Sequence, residues 1–356
     1  MTKTQTKKRL FYIDLLNCIA IFGVLIQHTA QIAHVGPANS SITIVGKVIQ
    51  TIFLPAVGIF FMNSGAMLLD YRKRQSTEHF AKRRFLRVVV PFLLWSVFYY
   101  VYGYYYYTFP GIFHHSIFGL RNFAEAFLGN KINSLFWFFF IIIQLYIATP
   151  VFSLLSQKYK KILLFIVIVA FVSSDVFSYL GNILHLNLEQ SMLTQPLLAS
   201  SWIQYFILGY LFKEKYFSKT FENGIITFGL ITFVMNIAND VTGGHHLFLQ
   251  DISNFPYTIA VYLLIKRLAE QNDNVRVANI VAKFASTSLG IYILHPILIA
   301  LFDWLMFGQT SEQWTKYLTV LENPIHIFVF PIIIYILLVP LIYWFKKLPL
   351  SKYILP

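Results

Sequence analysis

Charge is scarce in this sequence. Asp, Glu, Lys and Arg make up only 12 % of 356 residues, about half the share of a soluble globular protein. Acid is scarcer still, with 15 carboxylates against 28 Lys and Arg and a net charge of +13. Cysteine is nearly absent: Cys18 stands alone inside an apolar run, so no disulfide forms within the chain and the redox compartment is unreadable. No Walker loop, GxSxG elbow, HExxH or CxxC occurs, which removes the phosphate-cradle, serine-elbow, zincin and redox-dithiol chemistries those motifs serve. The doublets His114–His115 and His245–His246 lack a Cys or a matched carboxylate at ligand spacing, and adjacent side chains point apart on a helix. No metal site is expected. The basic residues fall in short clusters between apolar runs rather than on one face, so no nucleic-acid partner is expected either.

What the chain has instead is apolar length. AVILMFWYC residues account for 57 % and the mean hydropathy is +0.62. At roughly 20 residues per crossing, roughly 200 apolar positions are material for about ten spans. The expected fold is all-α: a polytopic transmembrane helical bundle with spans near 10–33, 48–69, 86–107, 134–155, 161–180, 197–212, 222–239, 252–269, 280–303 and 324–345. The sixth is short, squeezed between Pro196 and Lys213. The first is too long for a signal-peptide core and lacks a cleavage site. Alternating the sides puts 24 of the 28 basic residues on one face, leaving Lys47, Arg121, Lys131 and Lys316 on the other. The positive-inside rule then makes both termini cytoplasmic. Residues 10–345 read as one membrane domain with short tails at 1–9 and 346–356 and no soluble domain. The tyrosines at 99, 100, 102 and 104–107 close the third span. They read as an interfacial aromatic belt or as a stacking platform for a sugar.

Polar side chains inside spans are costly and are functional suspects. The first span carries Asp14, Asn17 and His28; the second carries Asn63 and Ser64. The fourth holds Trp137 and Tyr146, and the ninth Ser288 and His295 before Pro296. Asp14, Asn17 and His28 share a stripe, with Asp14 and His28 roughly 21 Å apart by helical rise. Counted from the nearest basic residue, His28 lies roughly 28 Å deep and His295 roughly 18 Å deep. His28 reads as a catalyst or as interhelical glue, and His295 as a substrate-path residue or a kink stabiliser. Arg83, Arg84 and Arg87 open the third span. They suit bidentate phosphate recognition or plain topological anchoring.

The order of these motifs carries a resemblance. Tyr12–His28 reads Y-I-D-L-L-N-(x)10-H, Pro55–Gly65 reads P-A-V-G-I-F-F-M-N-S-G, and Arg83–Arg87 reads R-R-F-L-R. Phe136–Pro150, the F-I-L-G-Y of Phe206–Tyr210 and the S-L-G-I-Y-I-L-H-P of Ser288–Pro296 follow. The chain resembles the acyltransferase-3 family of integral membrane O-acyltransferases, in particular its stand-alone, enterobacterial common antigen O-acetyltransferase-like type. The resemblance implies transfer of an acetyl group from cytoplasmic acetyl-CoA to a hydroxyl of an extracytoplasmic glycan or its lipid-linked precursor. It implies a bacterial plasma-membrane setting, acetyl-CoA as donor with no permanently bound cofactor, and His28 as the residue essential to transfer. The family pattern usually places an arginine eleven residues before that histidine. Here the position is Asn17, which shifts donor positioning toward Asp14 and the Arg83–Arg84 pair. Many members also carry a fused extracellular esterase-like domain, and none is expected here. The competing class is a ten-span glycan or lipid exporter without chemistry, whose polar stripe is a permeation path. The physics favours the enzyme: acyl transfer to a hydroxyl needs a base near neutrality, which histidine supplies, while coupled transporters usually pair several intramembrane charges.

Overall fold

The computed structural model describes residues 10–106, 108, 111–185, 202–242, 250–272, 274–311, 314–349 and 351–355. Lys3, Lys7, Lys8, Arg9, Tyr107, Pro196 with the start of the sixth expected span, and the His245–His246 doublet lie outside them. The described residues are helical, with only isolated bridges joining Thr108, Ile112 and Asn133. In chain order the first helices are α1 (Phe11–Thr29), α2 (Ile32–Val35), α3 (Ser41–Phe53), α4 (Ala56–Leu68), α5 (Thr77–Arg84) and α6 (Val90–Tyr105). Next come α7 (Leu120–Leu128), α8 (Trp137–Lys158), α9 (Lys160–Phe171), α10 (Phe177–Leu184), α11 (Ile203–Lys213) and α12 (Lys219–Thr242). The last are α13 (Gln250–Glu270), α14 (Val275–Ala285), α15 (Ser288–Phe307), α16 (Trp314–Leu321) and α17 (Phe330–Phe345).

Among the described residues, 8 helical segments are long and apolar enough to cross a membrane. They occupy eight of the ten expected positions. α11 and α13 stand at the sixth and eighth. α11 is only 11 residues long but is buried nearly all round, as a helix in the middle of a bundle must be when it is apolar on every face. The ninth position differs from expectation. It is broken at Ser286–Thr287 into α14 and α15. α14 is a separate amphipathic helix whose N-cap, Asn274, accepts from the backbone N–H groups of Arg276 and Val277.

α1 is the hub, packing against α3, α4, α13, α14, α15 and α17. The closest helix crossing is between α4 and α11. A Cβ on Gly65 would stand 1.6 Å from the Phe206 carbonyl oxygen, and one on Gly209 would stand 1.8 Å from that of Met62. Reciprocal glycines let two backbones touch, the packing device that membrane helices use in place of a hydrophobic drive. The N-S-G and F-I-L-G-Y motifs therefore meet each other.

The basic clusters that the sequence assigns to one side converge at one end of the bundle. Asp70 accepts from Lys213 at 2.7 Å and Arg74 at 2.8 Å, and Glu214 accepts from Lys160 at 3.0 Å. Arg267 holds Glu222 at 2.9 Å, and Lys346 donates to the Ser286 carbonyl. The opposite end carries the tyrosines. Tyr99 and Tyr100 are buried with their hydroxyls bonded inward, to Ile293 and to Asn122, whereas Tyr104–Tyr106 are exposed. His115 packs its ring on Tyr100 at 4.8 Å, an ordinary loop contact.

Candidate active site

α1 and α4 run antiparallel and are tied by one amide. Asn63 Nδ2 donates to Asn17 Oδ1 at 3.0 Å and to the Ile13 carbonyl at 3.3 Å. Asn63 Oδ1 is buried without a hydrogen-bond partner, an acceptor left over at the wall of a cavity. That cavity, of about 280 Å³, lies between α1, α4, α8 and α15, and Asn17, Asn63, Ser64, Arg84, Tyr146 and Ser288 all line it. Six polar residues drawn from five helices and singled out separately thus face one space. Asp14 is buried one residue from the lining Ile13 and is not part of the wall. Trp137 is not part of it either. Its ring packs, tilted, on Trp202 at 5.3 Å, and Phe138, one residue on and turned by about 100°, lines the cavity instead.

Arg84 is the junction between this cavity and a second one of about 400 Å³, which Arg74, Gln75, Arg83 and Arg87 line. The two share Met67, Leu68 and Arg84. Arg87 is four residues from Arg83 and three from Arg84, so it neighbours both on the helix surface. A π-helical turn, Phe85–Val89, follows directly; such turns re-aim the residues around them. The Arg84 guanidinium sits between rings, 5.6 Å from Tyr146 and 5.9 Å from Phe80, and its Nε is buried without a partner. Arg83 and Arg87 are exposed. The result is a basic mouth narrowing to one half-buried arginine.

The far end of the cavity is bounded by Val24 and Tyr292. His28 is four residues beyond Val24 and His295 three beyond Tyr292, so each continues the lining face of its helix by one turn. The two imidazoles stack, with centroids 5.1 Å apart and planes 23° from parallel. His28 is half-buried and His295 is fully buried. Their partners fix the protons. The Ile291 carbonyl, 3.2 Å from His295 Nδ1, can only accept, so Nδ1 carries hydrogen and Nε2 keeps its lone pair, buried and without a partner. On His28, Nδ1 faces the Gln31 amide nitrogen at 3.5 Å. That nitrogen also donates to the Gln27 carbonyl at 3.1 Å, so the group facing Nδ1 is a donor. In neutral His28 the hydrogen is then on Nε2.

This pairing departs from the sequence expectation. Depth counted from the nearest basic residue separates His28 from His295 by roughly 10 Å of helical rise. The count fails because Lys283 belongs to α14, which lies alongside α1 with Cys18 Sγ 3.6 Å from the Val281 carbonyl. Lys283 therefore does not serve as a depth marker for α15. The sequence reading also passes over three intramembrane groups. Asp175, in a π-helical turn of the fifth crossing segment, accepts from Gln204 at 2.8 Å and Ser174 at 2.5 Å. Asp303 and His326, at the tyrosine end of the bundle, stand 3.4 Å apart and fully buried. The signal for all three was available: titratable residues inside or at the edge of apolar runs.

No curated protein and no solved structure matches the chain. A family model described as an acyltransferase domain matches residues 10–345, the stretch that contains every helix lining both cavities. The chain belongs to the acyltransferase-3 family of membrane proteins.

Proposed function

We propose that the chain, a multi-pass protein of a bacterial plasma membrane with both termini cytoplasmic, transfers an acetyl group from cytoplasmic acetyl-CoA to a hydroxyl of an extracytoplasmic glycan or its lipid-linked precursor. One observation carries this reading: the stacked His28–His295 pair stands one helical turn beyond the Val24–Tyr292 end of a cavity whose other mouth is built from Arg83, Arg84 and Arg87. Guanidiniums are suited to the phosphates of coenzyme A by their forked donors. From Ile13 to Val24 the cavity follows eleven residues of α1, roughly 16 Å by helical rise, a length suited to an extended acyl-bearing arm. Asn17, Asn63 and Ser64 offer that arm hydrogen bonds, with Asp14 acting behind them as a positioning residue for the start of α1. Tyr146 and Ser288 complete the path, and Trp137 supports it only through Phe138.

In the transfer, the acceptor oxygen attacks the thioester carbonyl, a C–O bond forms and the C–S bond breaks. The hydroxyl proton passes to an imidazole nitrogen and from there to the departing thiolate, so nothing is oxidised or reduced. The histidine pair is suited to this because one nitrogen accepts while the neighbouring ring presents an N–H for the developing oxyanion. The donor is already activated, so no resident cofactor is called upon. The exporter reading needs one continuous path. It gains no support from the cavities at opposite ends of the bundle, whose described lining residues do not overlap.

The test is release of free coenzyme A from acetyl-CoA by the purified protein in nanodiscs, with and without glycan. General-base help is typically worth about 10²–10⁴ in rate. His295→Gln should lose about that much kcat while acetyl-CoA still binds, His28→Ala should lose about 10²–10³ with its N–H donor, and the double variant should lose little more, since groups acting as a unit are not additive. Activity retained in both His28→Ala and His295→Gln, or no CoA release by the wild type, overturns the proposal.

A further inference from the structure

The second large cavity lies at the tyrosine end, between α6 and α15, with a volume of about 560 Å³. Tyr102 and Tyr106 form one wall, their rings 5.3 Å apart, and Trp304, Tyr317, Asp303 and Ser311 form the others. Asp303 is only 1 % exposed. Its Oδ2 accepts from the Tyr317 hydroxyl at 2.7 Å. Its Oδ1, 3.4 Å from His326 Nε2, has no hydrogen bond. A buried carboxylate oxygen without a donor is costly and calls for one. Along the side of the groove, Leu301 and Trp304 are 45 % and 57 % exposed on a helix apolar enough to cross a membrane, so this wall faces lipid, with the indole at the depth such rings prefer.

We propose that this groove binds the sugar headgroup of an amphiphile: the ring stacks on the tyrosine platform, a hydroxyl donates to Asp303 Oδ1, and the tail lies along Leu301 and Trp304 in the bilayer. Each part follows from the lining. Sugars present an apolar C–H face to aromatic rings and hydroxyl donors to an acceptor-only carboxylate. Among the described residues no Lys or Arg lines the groove, so there an anionic headgroup would meet a carboxylate and no counter-charge. An ammonium headgroup would suit the rings and Asp303, but it would leave the buried Thr108 hydroxyl, which has no hydrogen-bond partner, unused. The inference rests on the acyl-transfer reading only in making this amphiphile the acceptor. Binding itself requires no turnover.

The probe is an alkyl glucoside with a photoreactive diazirine in its tail, added to the full chain in polyoxyethylene-ether micelles, with labelled peptides mapped by mass spectrometry. Labelling is expected in the segment 297–307. It should be competed by dodecyl maltoside and spared by equal concentrations of dodecylphosphocholine and free maltose. Asp303→Asn and Tyr106→Ala should each reduce it about tenfold. Tyr106 is 57 % exposed, so its truncation leaves the bundle's packing intact and separates loss of binding from loss of fold. Equal competition by dodecylphosphocholine would make the groove a tail or ammonium site. Equal competition by free maltose would remove the lipid from the assignment, and unchanged labelling in both variants would remove the groove. CoA release, measured on the same preparations, reports the acyl-transfer reading separately.

Discussion

Arg84→Ala perturbs the one guanidinium that belongs to both cavities of the arginine end. Its Nε lacks a hydrogen-bond partner, and its faces are occupied by Tyr146 and Phe80 rather than by a carboxylate. A cation held by rings and short of acceptors is available to an anion. One charge-assisted contact to phosphate is worth roughly 1.5–3 kcal/mol. At about 1.4 kcal/mol per decade, its loss corresponds to roughly a 10- to 150-fold rise in KM for acetyl-CoA. If the contact is made equally before and during transfer, kcat should stay within about twofold. Arg84→Lys should recover part of the loss, because it keeps the charge and forfeits the fork. The assay is steady-state thiol release in nanodiscs, normalised to folded protein by size-exclusion chromatography. The rival role is mechanical, with Arg84 clamping α5 to α8 through its two rings. That role forecasts a lowered melting temperature and an unchanged KM. Unchanged KM in Arg84→Ala and in the Arg83→Ala/Arg87→Ala pair would refute donor binding at this mouth.

Three further outcomes are expected. Gly209→Ala forces a Cβ to 1.8 Å from the Met62 carbonyl oxygen, which is backbone and cannot swing aside; overpacking of this kind costs about 1–3 kcal/mol or more, and a melting curve followed by retained monomer should drop by several degrees. With Cys18 replaced, a cysteine at position 76 should be shielded from an impermeant thiol reagent in intact cells while one at position 116 is labelled; labelling at 76 would reverse the orientation. If an imidazole of the histidine pair takes the hydroxyl proton in the transfer step, single-turnover transfer should be slower in deuterium oxide than in water; an unchanged rate would exclude proton transfer to imidazole in that step.

Much of this site could be read from single residues out of place, because a polar side chain in hydrocarbon advertises itself whatever it touches. Asn17, Asn63, Ser64, Arg84, Tyr146 and Ser288 are conspicuous one at a time, and the fold brings them to one cavity. What single residues could not give is relative depth and relative rotation. The His28–His295 stack depends on α14 being a separate helix laid against α1, and no residue count across the Ser286–Thr287 break carries that information. The choice between Trp137 and Phe138 turns on the rotation of α8, and two adjacent aromatics leave it open until Trp202 packs on the first. Glycine is the reverse case. Gly65 and Gly209 look like neutral members of their motifs and prove to be where two backbones meet.

The departure at position 17 is resolved in the same terms. The family pattern offers a cation one helix face below the histidine, and this chain offers Asn17. An arginine at that position would line the same cavity as Arg84. Two guanidiniums sharing a small, poorly solvated space repel strongly unless both are paired with anions. Asn17 avoids that conflict and spends its side chain differently, accepting from Asn63 and so setting α1 against α4. On the acyl-transfer proposal, the donor-facing charge is supplied from α5 by Arg84, which lines both cavities at the basic mouth. On this reading the cation and the histidine pair no longer share a helix. Their separation is set instead by the packing of α1, α4 and α8, and the Gly65–Gly209 crossing holds the middle member of that set in place.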